Sequence, residues 1–420
     1  MDIRIVPGTL RGTVLAPASK SELHRYLICA AFADGPTVVE GVGDPLADDI
    51  KATIDCLEEL GASFRFEKGK IDIAPSLRLI SAPVLDCRGS GSTLRFLLPV
   101  TAALYNEASF RGSGSLSARP VSELLQAMEQ NGAVFSASRL PLEMEGGLKS
   151  FDFAIPGNIS SQYVSGLMMA GAVSSCGADI TLTSQLGSAG YVEMTADALR
   201  VFGAEVVCGD GTYRVRGPLK SPGILEVKGS WSAAAGILAA AAVSADSDVT
   251  LTGLDPRSVQ GDREIIRILR DMGADITAGG DGVRVKGASL HGTDTDVDDI
   301  PDLFPVLAAV SSGAGGISRF RNGSRLRYKE SDRLESVSGV LKALGVSCTV
   351  TDDGLVISDG GVPHSGTVDS WGDHRVVMTA AVAAYALGKE VTVCGAENIS
   401  KSYPDFFEDL KSLGGNIYVL

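Results

Sequence analysis

The sequence is poor in aromatic residues, 6% of 420, and holds four histidines, two tryptophans and seven cysteines. Cys29, Cys56, Cys87, Cys176, Cys208, Cys348 and Cys394 are dispersed, odd in number and never arranged as C-x-x-C. That spacing excludes a zinc ribbon or a disulfide framework and fits reduced thiols in a cytoplasmic protein. His24, His291, His364 and His374 share no metal-ligand spacing, so no metal is expected. No basic segment followed by an apolar one opens the chain, which argues against a secretory signal. The longest strictly apolar run, residues 233–243, is too short to span a bilayer, so no membrane partner is expected. Positive charge is scarce: 37 Lys and Arg stand against 51 Asp and Glu, a net charge of -14. This excludes a nucleic-acid partner, whose phosphates need a basic face. It leaves small anions open, because a few cations focused in one cleft outweigh the mean field.

Familiar site motifs are absent too. Residues 89–95, Gly-Ser-Gly-Ser-Thr-Leu-Arg, lack the Gly-Lys-Ser/Thr ending of a P-loop, and no G-x-G-x-x-G follows a strand. No G-x-S-x-G elbow supports a hydrolase. The run Asp294, Asp296, Asp298, Asp299 begins like a calcium loop, but Asp299 and Pro305 occupy the positions that need Gly and Glu. It reads as a solvated loop.

What the chain has in excess is glycine, 50 of 420, about 12% against a usual ~7%. Part of that excess is periodic. Gly61, Gly132, Gly203, Gly273, Gly345 and Gly414 each follow a helical pattern and precede a strand-like segment, at spacings of 71, 71, 70, 72 and 69 residues. Six copies of about seventy residues account for the whole chain. Ile50, Ile54, Leu57 and Leu60 recur at helical spacing, as do Ile265, Leu269 and Met272, giving each such helix one apolar face. The glycine that follows is the residue suited to a left-handed helix end. Lys68-Gly69, Asp210-Gly211, Asp281-Gly282 and Asp353-Gly354 lie between strand-like runs and predict hairpins.

A second, all-round apolar helix repeats at residues 28–33, 97–104, 167–173, 236–243, 305–310 and 376–387, and predicts a buried inner helix per copy. The sixth copy ends where a second hairpin strand is due, and the strand-like pieces of residues 1–16 resemble it. The N-terminal strands are therefore expected to complete the last copy. This gives two three-copy globes, residues 18–229 and the discontinuous 1–17 with 230–420. A solenoid would instead leave long open sheet edges and need polar end caps.

Polar residues cluster ahead of these helices. Inner helices are preceded by Ser19-Lys20-Ser21 with Arg25, by Ser90-Gly91 with Arg95, by Ser160-Ser161-Gln162, by Ser230, by Asp302, and by Asp373-His374-Arg375. Outer helices follow Ala118-Arg119-Pro120, Ser188-Ala189-Gly190-Tyr191, Lys329-Glu330-Ser331-Asp332-Arg333 and Lys401-Ser402-Tyr403-Pro404. Ser, Asp and Gly serve as caps there. Lys and Arg do not, because they oppose the positive end of a helix. Free helix N–H groups, hydroxyls and cations together make a site for several anions, and the repeats allow them to converge on one cleft.

With these motifs in order, the chain resembles the 3-phosphoshikimate 1-carboxyvinyltransferase (EPSP synthase) family from the Lys20-Ser21 segment to Lys401-Ser402-Tyr403-Pro404. Ser160-Ser161-Gln162, Lys329-Glu330-Ser331-Asp332-Arg333 and Asp373-His374-Arg375, at these separations, carry the resemblance. It implies a two-domain inverse α/β barrel of six βαβαββ units. It also implies a monomeric enzyme that moves the carboxyvinyl group of phosphoenolpyruvate to the 5-hydroxyl of shikimate 3-phosphate, without metal or organic cofactor. By motif matching, Lys20, Ser21, Arg25, Ser160, Ser161, Gln162, Ser188, Tyr191, Asp302 and Lys329 are expected to hold shikimate 3-phosphate. Lys20, Gly91, Arg119, Gln162, Arg333, Arg375 and Lys401 are expected around phosphoenolpyruvate. Asp302 matches the family's carboxylate facing the shikimate hydroxyls and Glu330 the one near the methylene, with Lys20 as a third proton-moving group.

The chain departs from that family at three places. Many relatives carry Asn before Gly91 and Pro after Arg95, where Ser90 and Phe96 stand here, and Arg325 replaces a common Asn. The UDP-N-acetylglucosamine enolpyruvyl transferases share fold and donor. Their loop Cys is missing from residues 112–120 here, and they lack the Lys-Glu-Ser-Asp-Arg motif. A non-enzymatic repeat scaffold is the other alternative, and it gives no reason for cations at helix starts.

Overall fold

The structure is a computed structural model and describes residues 1–76, 80–280 and 282–420. The hairpin turn expected at Asp281 lies outside the described residues. The chain forms two compact units, Lys20–Val227 and Met1–Ser19 with Lys228–Leu420.

In chain order the first elements are β1 (Ile3–Val6), β2 (Arg11–Leu15), α1 (Lys20–Ala31), β3 (Thr37–Glu40), α2 (Asp48–Glu59), β4 (Ser63–Glu67) and β5 (Lys70–Ala74). Next come β6 (Val84–Asp86), α3 (Gly91–Leu104), β7 (Ala108–Arg111), α4 (Ser122–Glu129), β8 (Val134–Phe135) and β9 (Leu142–Gly146). β10 (Asp152–Ile155), α5 (Ser161–Val173), β11 (Ala178–Leu182), α6 (Ala189–Val201), β12 (Glu205–Gly209), β13 (Thr212–Arg216) and β14 (Ile224–Glu226) follow. Then come α7 (Trp231–Val243), β15 (Asp248–Thr252), α8 (Ile265–Asp271), β16 (Asp275–Gly279), β17 (Gly282–Lys286) and β18 (Asp294–Asp296). α9 (Phe304–Ser311), β19 (Ser318–Arg321), α10 (Arg333–Ala343), β20 (Ser347–Val350) and β21 (Leu355–Ser358) come next. β22 (Gly366–Asp369), α11 (His374–Leu387), β23 (Val391–Cys394), α12 (Phe406–Ser412) and β24 (Asn416–Val419) end the chain.

Among the described residues the strands form six four-stranded sheets of one plan: a parallel pair, then two antiparallel strands. In Lys20–Val227 the orders are β14-β3-β5-β4, β6-β7-β9-β8 and β10-β11-β13-β12. The other unit holds β2-β15-β17-β16, β18-β19-β21-β20 and β22-β23-β1-β24. The two N-terminal strands part company, contrary to the expectation that both complete the sixth copy. β1 lies antiparallel between β23 and β24, pairing Ile3 with Val393 and Ile5 with Ile417. β2 instead runs parallel to β15, pairing Val14 with Leu251. Pro7, which has no N–H for a ladder, separates the two. β1 buries Ile3 and Ile5 as an inner strand, while β2 buries only Val14, as an edge strand does. The other unit closes similarly, with β14 returning to lie parallel to β3.

The six periodic glycines all adopt positive φ, from +77° at Gly203 to +100° at Gly273. This is the region a side chain rarely tolerates, so the period in sequence reflects one backbone requirement repeated six times. The inner helices are buried nearly all round. α7, α9 and α11 pack on one another in their unit. In Lys20–Val227, α3 and α5 cross closely because position 166 lacks a Cβ, which would stand 2.2 Å from the Arg95 carbonyl oxygen. Among the described residues no helix is long and apolar enough to cross a membrane.

Candidate active site

In Lys20–Val227 the starts of the helices bring expected residues together in small groups: Arg25 with Ser21 and Tyr191, Gln162 with Ser160, and Arg119 with Gly91. Lys20 opens α1, and its ammonium meets the Asp49 carboxylate of α2 at 2.6 Å, with both side chains largely buried. One turn on, Arg25 is 2% exposed. It donates to the Thr195 hydroxyl at 2.8 Å, the Ser21 carbonyl at 2.6 Å and the Tyr191 carbonyl at 2.7 Å. Its guanidinium also lies over the Phe96 ring, 5.1 Å from the centroid. Among the described residues all its hydrogen bonds end on neutral oxygens. Burial pulls this group down to about 10, which leaves it charged at neutral pH. A buried cation bonded only to neutral acceptors is an incomplete electrostatic unit, and an anion completes it.

Beside it, the close α3–α5 crossing sets Arg95 against Gln162. Arg95 donates to the Gln162 side-chain oxygen at 2.8 Å and the Pro120 carbonyl at 2.9 Å, and Gln162 donates to Ser92 at 2.9 Å. Ser160 and Ser90 cap α5 and α3, accepting from the Gln162 and Thr93 N–H groups. The Arg119 guanidinium lies flat on Gly91, where an added Cβ would come within 2.8 Å of it. Ser161 is buried at the first position of α5. Ser188, also buried, caps α6 with φ +57° and ψ +49°, a strained choice for serine.

The other unit centres on Arg333, the first residue of α10 and 1% exposed. It donates to Asp302 at 2.6 Å, to Glu330 at 3.0 Å and to Asp373 at 3.0 Å. Asp373, fully buried, caps α11 by accepting the Arg375 N–H at 2.8 Å and also accepts from Ser331. Arg375 reaches back to α7, donating to the Ser232 carbonyl at 2.6 Å and to its hydroxyl. Burial works against the charge of Arg333, but Asp373, Asp302 and Glu330 overcome it and raise its basicity. Burial likewise works to raise the Asp302 carboxyl. Arg375, Arg333 and Lys329 outweigh it and hold the group well below the usual carboxylate range. Lys329 is pushed down to about 8 by burial, with Arg333 adding to the fall and Asp302 resisting it.

Three cations placed by sequence at outer-helix starts sit differently. Arg119, Lys329 and Lys401 lie at the C-terminal ends of 3-10 turns, Gly114–Ala118, Ser324–Tyr328 and Ala396–Lys401. The negative end of such a turn suits a cation, which removes the electrostatic objection raised by the sequence. Asp49 was not singled out from sequence, although its place in the first turn of α2 repeats the helix-start pattern. Thr195 was also missed, since nothing in a helix interior marks it. Arg325 donates to Asp298 at 3.0 Å, and the carboxylates of Asp294 and Asp296 accept from Arg321 and Asn322. The acidic run is thus occupied by basic and amide side chains, and no metal-holding cluster occurs among the described residues.

The family model for EPSP synthase (3-phosphoshikimate 1-carboxyvinyltransferase) matches residues 6–410. A 3-phosphoshikimate 1-carboxyvinyltransferase of Natronomonas pharaonis is 38% identical over 99% of this chain and 98% of its own length. One of Clostridium kluyveri is 37% identical over the same shares. Among solved structures, EPSP synthase from Acinetobacter baumannii superposes with a TM-score of 0.81 at 27% identity, covering 100% of both chains. The two-unit, six-sheet architecture is the inverse α/β fold of these enolpyruvyl transferases.

Proposed function

Because the chain belongs to the EPSP synthase family, we propose that it transfers the carboxyvinyl group of phosphoenolpyruvate to the 5-hydroxyl of shikimate 3-phosphate. Phosphate is released, and the product enters the shikimate pathway of aromatic amino-acid biosynthesis. The observation that carries this reading is Arg25, a buried guanidinium whose hydrogen-bond partners are all neutral. The 3-phosphate supplies the missing anion, with Ser21, Ser160, Ser161, Gln162, Ser188, Tyr191 and Lys329 as further contacts. Phosphoenolpyruvate brings a second phosphate and a carboxylate to Lys20, Gly91, Arg119, Gln162, Arg333, Arg375 and Lys401. Each charge-assisted contact contributes ~1.5–3 kcal/mol.

The reaction is an addition followed by an elimination. The 5-hydroxyl oxygen bonds to C2 of phosphoenolpyruvate as a proton joins C3. Phosphate then leaves C2 as a proton departs from C3, restoring the vinyl group. Asp302 takes the hydroxyl proton. Glu330 and Lys20 serve the methylene carbon, with the Arg333 guanidinium 3.0 Å from Glu330 and holding that carboxylate in place. Burial works to raise the Asp302 carboxyl, but Arg375, Arg333 and Lys329 outweigh it, so Asp302 is a weak base in the free protein. The substrate anions offset those cations and raise its basicity toward what proton transfer needs.

The chain acts as a monomer in the cytoplasm, and its free, dispersed thiols support the second part of that reading. The test is phosphate release from phosphoenolpyruvate with shikimate 3-phosphate as acceptor, then with UDP-N-acetylglucosamine. Turnover with the first and none with the second is expected. Folded protein inert toward shikimate 3-phosphate overturns the reading.

A further inference from the structure

Four buried polar side chains of the Lys20–Val227 unit have no part in that chemistry, yet they form one unbroken chain beneath it. His24 Nδ1 stands 2.8 Å from the Thr53 hydroxyl, and Thr53 stands 2.7 Å from the Thr93 hydroxyl. Thr93 donates to the Ser90 hydroxyl at 2.7 Å. None of the four is more than 1% exposed. They come from three helices: His24 from α1, Thr53 from α2, and Thr93 with its capping residue Ser90 from α3. The Thr53 and Thr93 hydroxyls also reach the Asp49 carbonyl, at 3.2 and 3.4 Å. The side chain of that same Asp49 holds the Lys20 ammonium.

Each hydroxyl owns one proton, so such a chain runs in one direction at a time. With the Thr93 proton on Ser90, at 2.7 Å the shorter of its two acceptor contacts, Thr93 accepts from Thr53 and Thr53 from His24 Nδ1–H; the Asp49 carbonyl, at 3.2 and 3.4 Å, is the competing acceptor for the same two protons. Bonds aligned head to tail polarise and stiffen one another. The chain ends on Ser90, whose oxygen also takes the Thr93 N–H. That cap leaves the Gly91 and Ser92 N–H groups, orphan donors of the first turn, for an anion.

We propose that His24, Thr53, Thr93 and Ser90 are positioning residues. Together they fix the α3 N-terminus against the Lys20–Asp49 pair, and so set the affinity for phosphoenolpyruvate. The proposal rests on the assignment of Lys20 and Gly91 to that substrate.

Thr53→Val and Thr93→Val keep shape and remove one hydroxyl each. Steady-state kinetics of these full-length variants should show KM for phosphoenolpyruvate raised at least fivefold. The values of kcat and KM for shikimate 3-phosphate should stay within twofold. Thr53→Ser restores the hydroxyl and should return KM to within twofold of wild type. In a double-mutant cycle, Ser90→Ala should add less than twofold to the KM of Thr53→Val, because both break one chain. Additive effects, unchanged KM in both Val variants, or loss shared equally by both substrates overturn the proposal. Should Thr53→Val fail to fold, Ser90→Ala alone decides, since it removes only the terminal hydroxyl. A Ser90→Ala enzyme with wild-type KM overturns the relay. A wild-type chain inert toward shikimate 3-phosphate overturns the substrate assignment instead, so the two failures are distinct.

Discussion

Two buried arginines, one in each unit, are partnered in opposite ways. In Lys20–Val227, Arg25 is enclosed by neutral oxygens, and Arg95 donates to an amide and a carbonyl. In the other unit, Arg333 is surrounded by Asp302, Glu330 and Asp373. A cation with neutral partners attracts an incoming anion at full strength. A cation with three carboxylates is already paid for, and what it supplies is control over where those carboxylates sit and how basic they are. Arg25 is therefore suited to receive an anion and Arg333 to govern proton-accepting groups, while Arg375, bonded to the Ser232 carbonyl and hydroxyl, gives the second unit a buried cation of the Arg25 kind. Acid–base chemistry on a multiply charged substrate needs both.

Charge removal tests this contrast most directly and with the largest effect. Arg333→Met removes the shared cation of the fully buried Asp373 and the partly buried Asp302 and Glu330, and breaking a buried pair in this way costs about 3–5 kcal/mol. Denaturant unfolding should show that loss, and kcat/KM should fall beyond tenfold. Arg25→Met removes a buried charge that, among the described residues, hydrogen-bonds to no carboxylate. Its unfolding free energy should fall by at least ~2 kcal/mol less than that of Arg333→Met, while affinity for shikimate 3-phosphate weakens more than tenfold. Equal stability losses in the two variants would erase the distinction between the two arginines.

Next in size come single truncations within each set. Lys20→Ala, Arg119→Ala and Glu330→Ala should each lower kcat/KM at least tenfold, about 1.4 kcal/mol of transition-state stabilisation. Lys20→Ala also leaves Asp49 without its ammonium partner, so its loss should carry a drop in melting temperature that Glu330→Ala does not share.

A smaller effect depends on pH. Lys329, at about 8 in the free protein, is charged below that value and loses its proton above it. The phosphate of shikimate 3-phosphate favours the charged form, so affinity should be level below pH 8 and fall as pH rises through it. The decline should approach tenfold per pH unit, with one proton taken up per ligand bound. Stability of the free protein runs the other way. A lysine lowered on folding holds fewer protons folded than unfolded between about 8 and its ordinary value, so its burden lightens as pH rises through that window. Calorimetric titration in buffers of different ionisation enthalpy measures the proton uptake, and Lys329→Met should abolish it.

Much of this organisation was legible in the sequence, for a physical reason. A backbone turn needing positive φ at Gly61 needs it again at each equivalent helix end, so a periodic fold leaves a periodic glycine. The cations were legible as residue types in a recurrent place. Their partners were not, because pairing is a long-range matter. Asp49 meets Lys20 from another helix, and Asp373 meets Arg333 from forty residues away. The parting of β1 and β2 was hidden for a related reason. Both segments alternate like strands, and only the tertiary fold decides which sheet each joins.

Arg325 gives the smallest expected effect and the sharpest test of how far cation counting carries. It stands in the segment that leads to Lys329, and by charge alone it would strengthen phosphate binding. Its guanidinium is instead committed to Asp298, 2.8 Å away, with side-chain exposures of 15% and 42%. A pair that open to solvent contributes about 0–1 kcal/mol. Arg325→Ala should therefore lower stability by less than ~1 kcal/mol and change affinity for shikimate 3-phosphate less than threefold. Arg25→Met is expected to cost more than tenfold in the same titration. A drop with Arg325→Ala as large as that of Arg25→Met would mean that Arg325 leaves Asp298 for the phosphate.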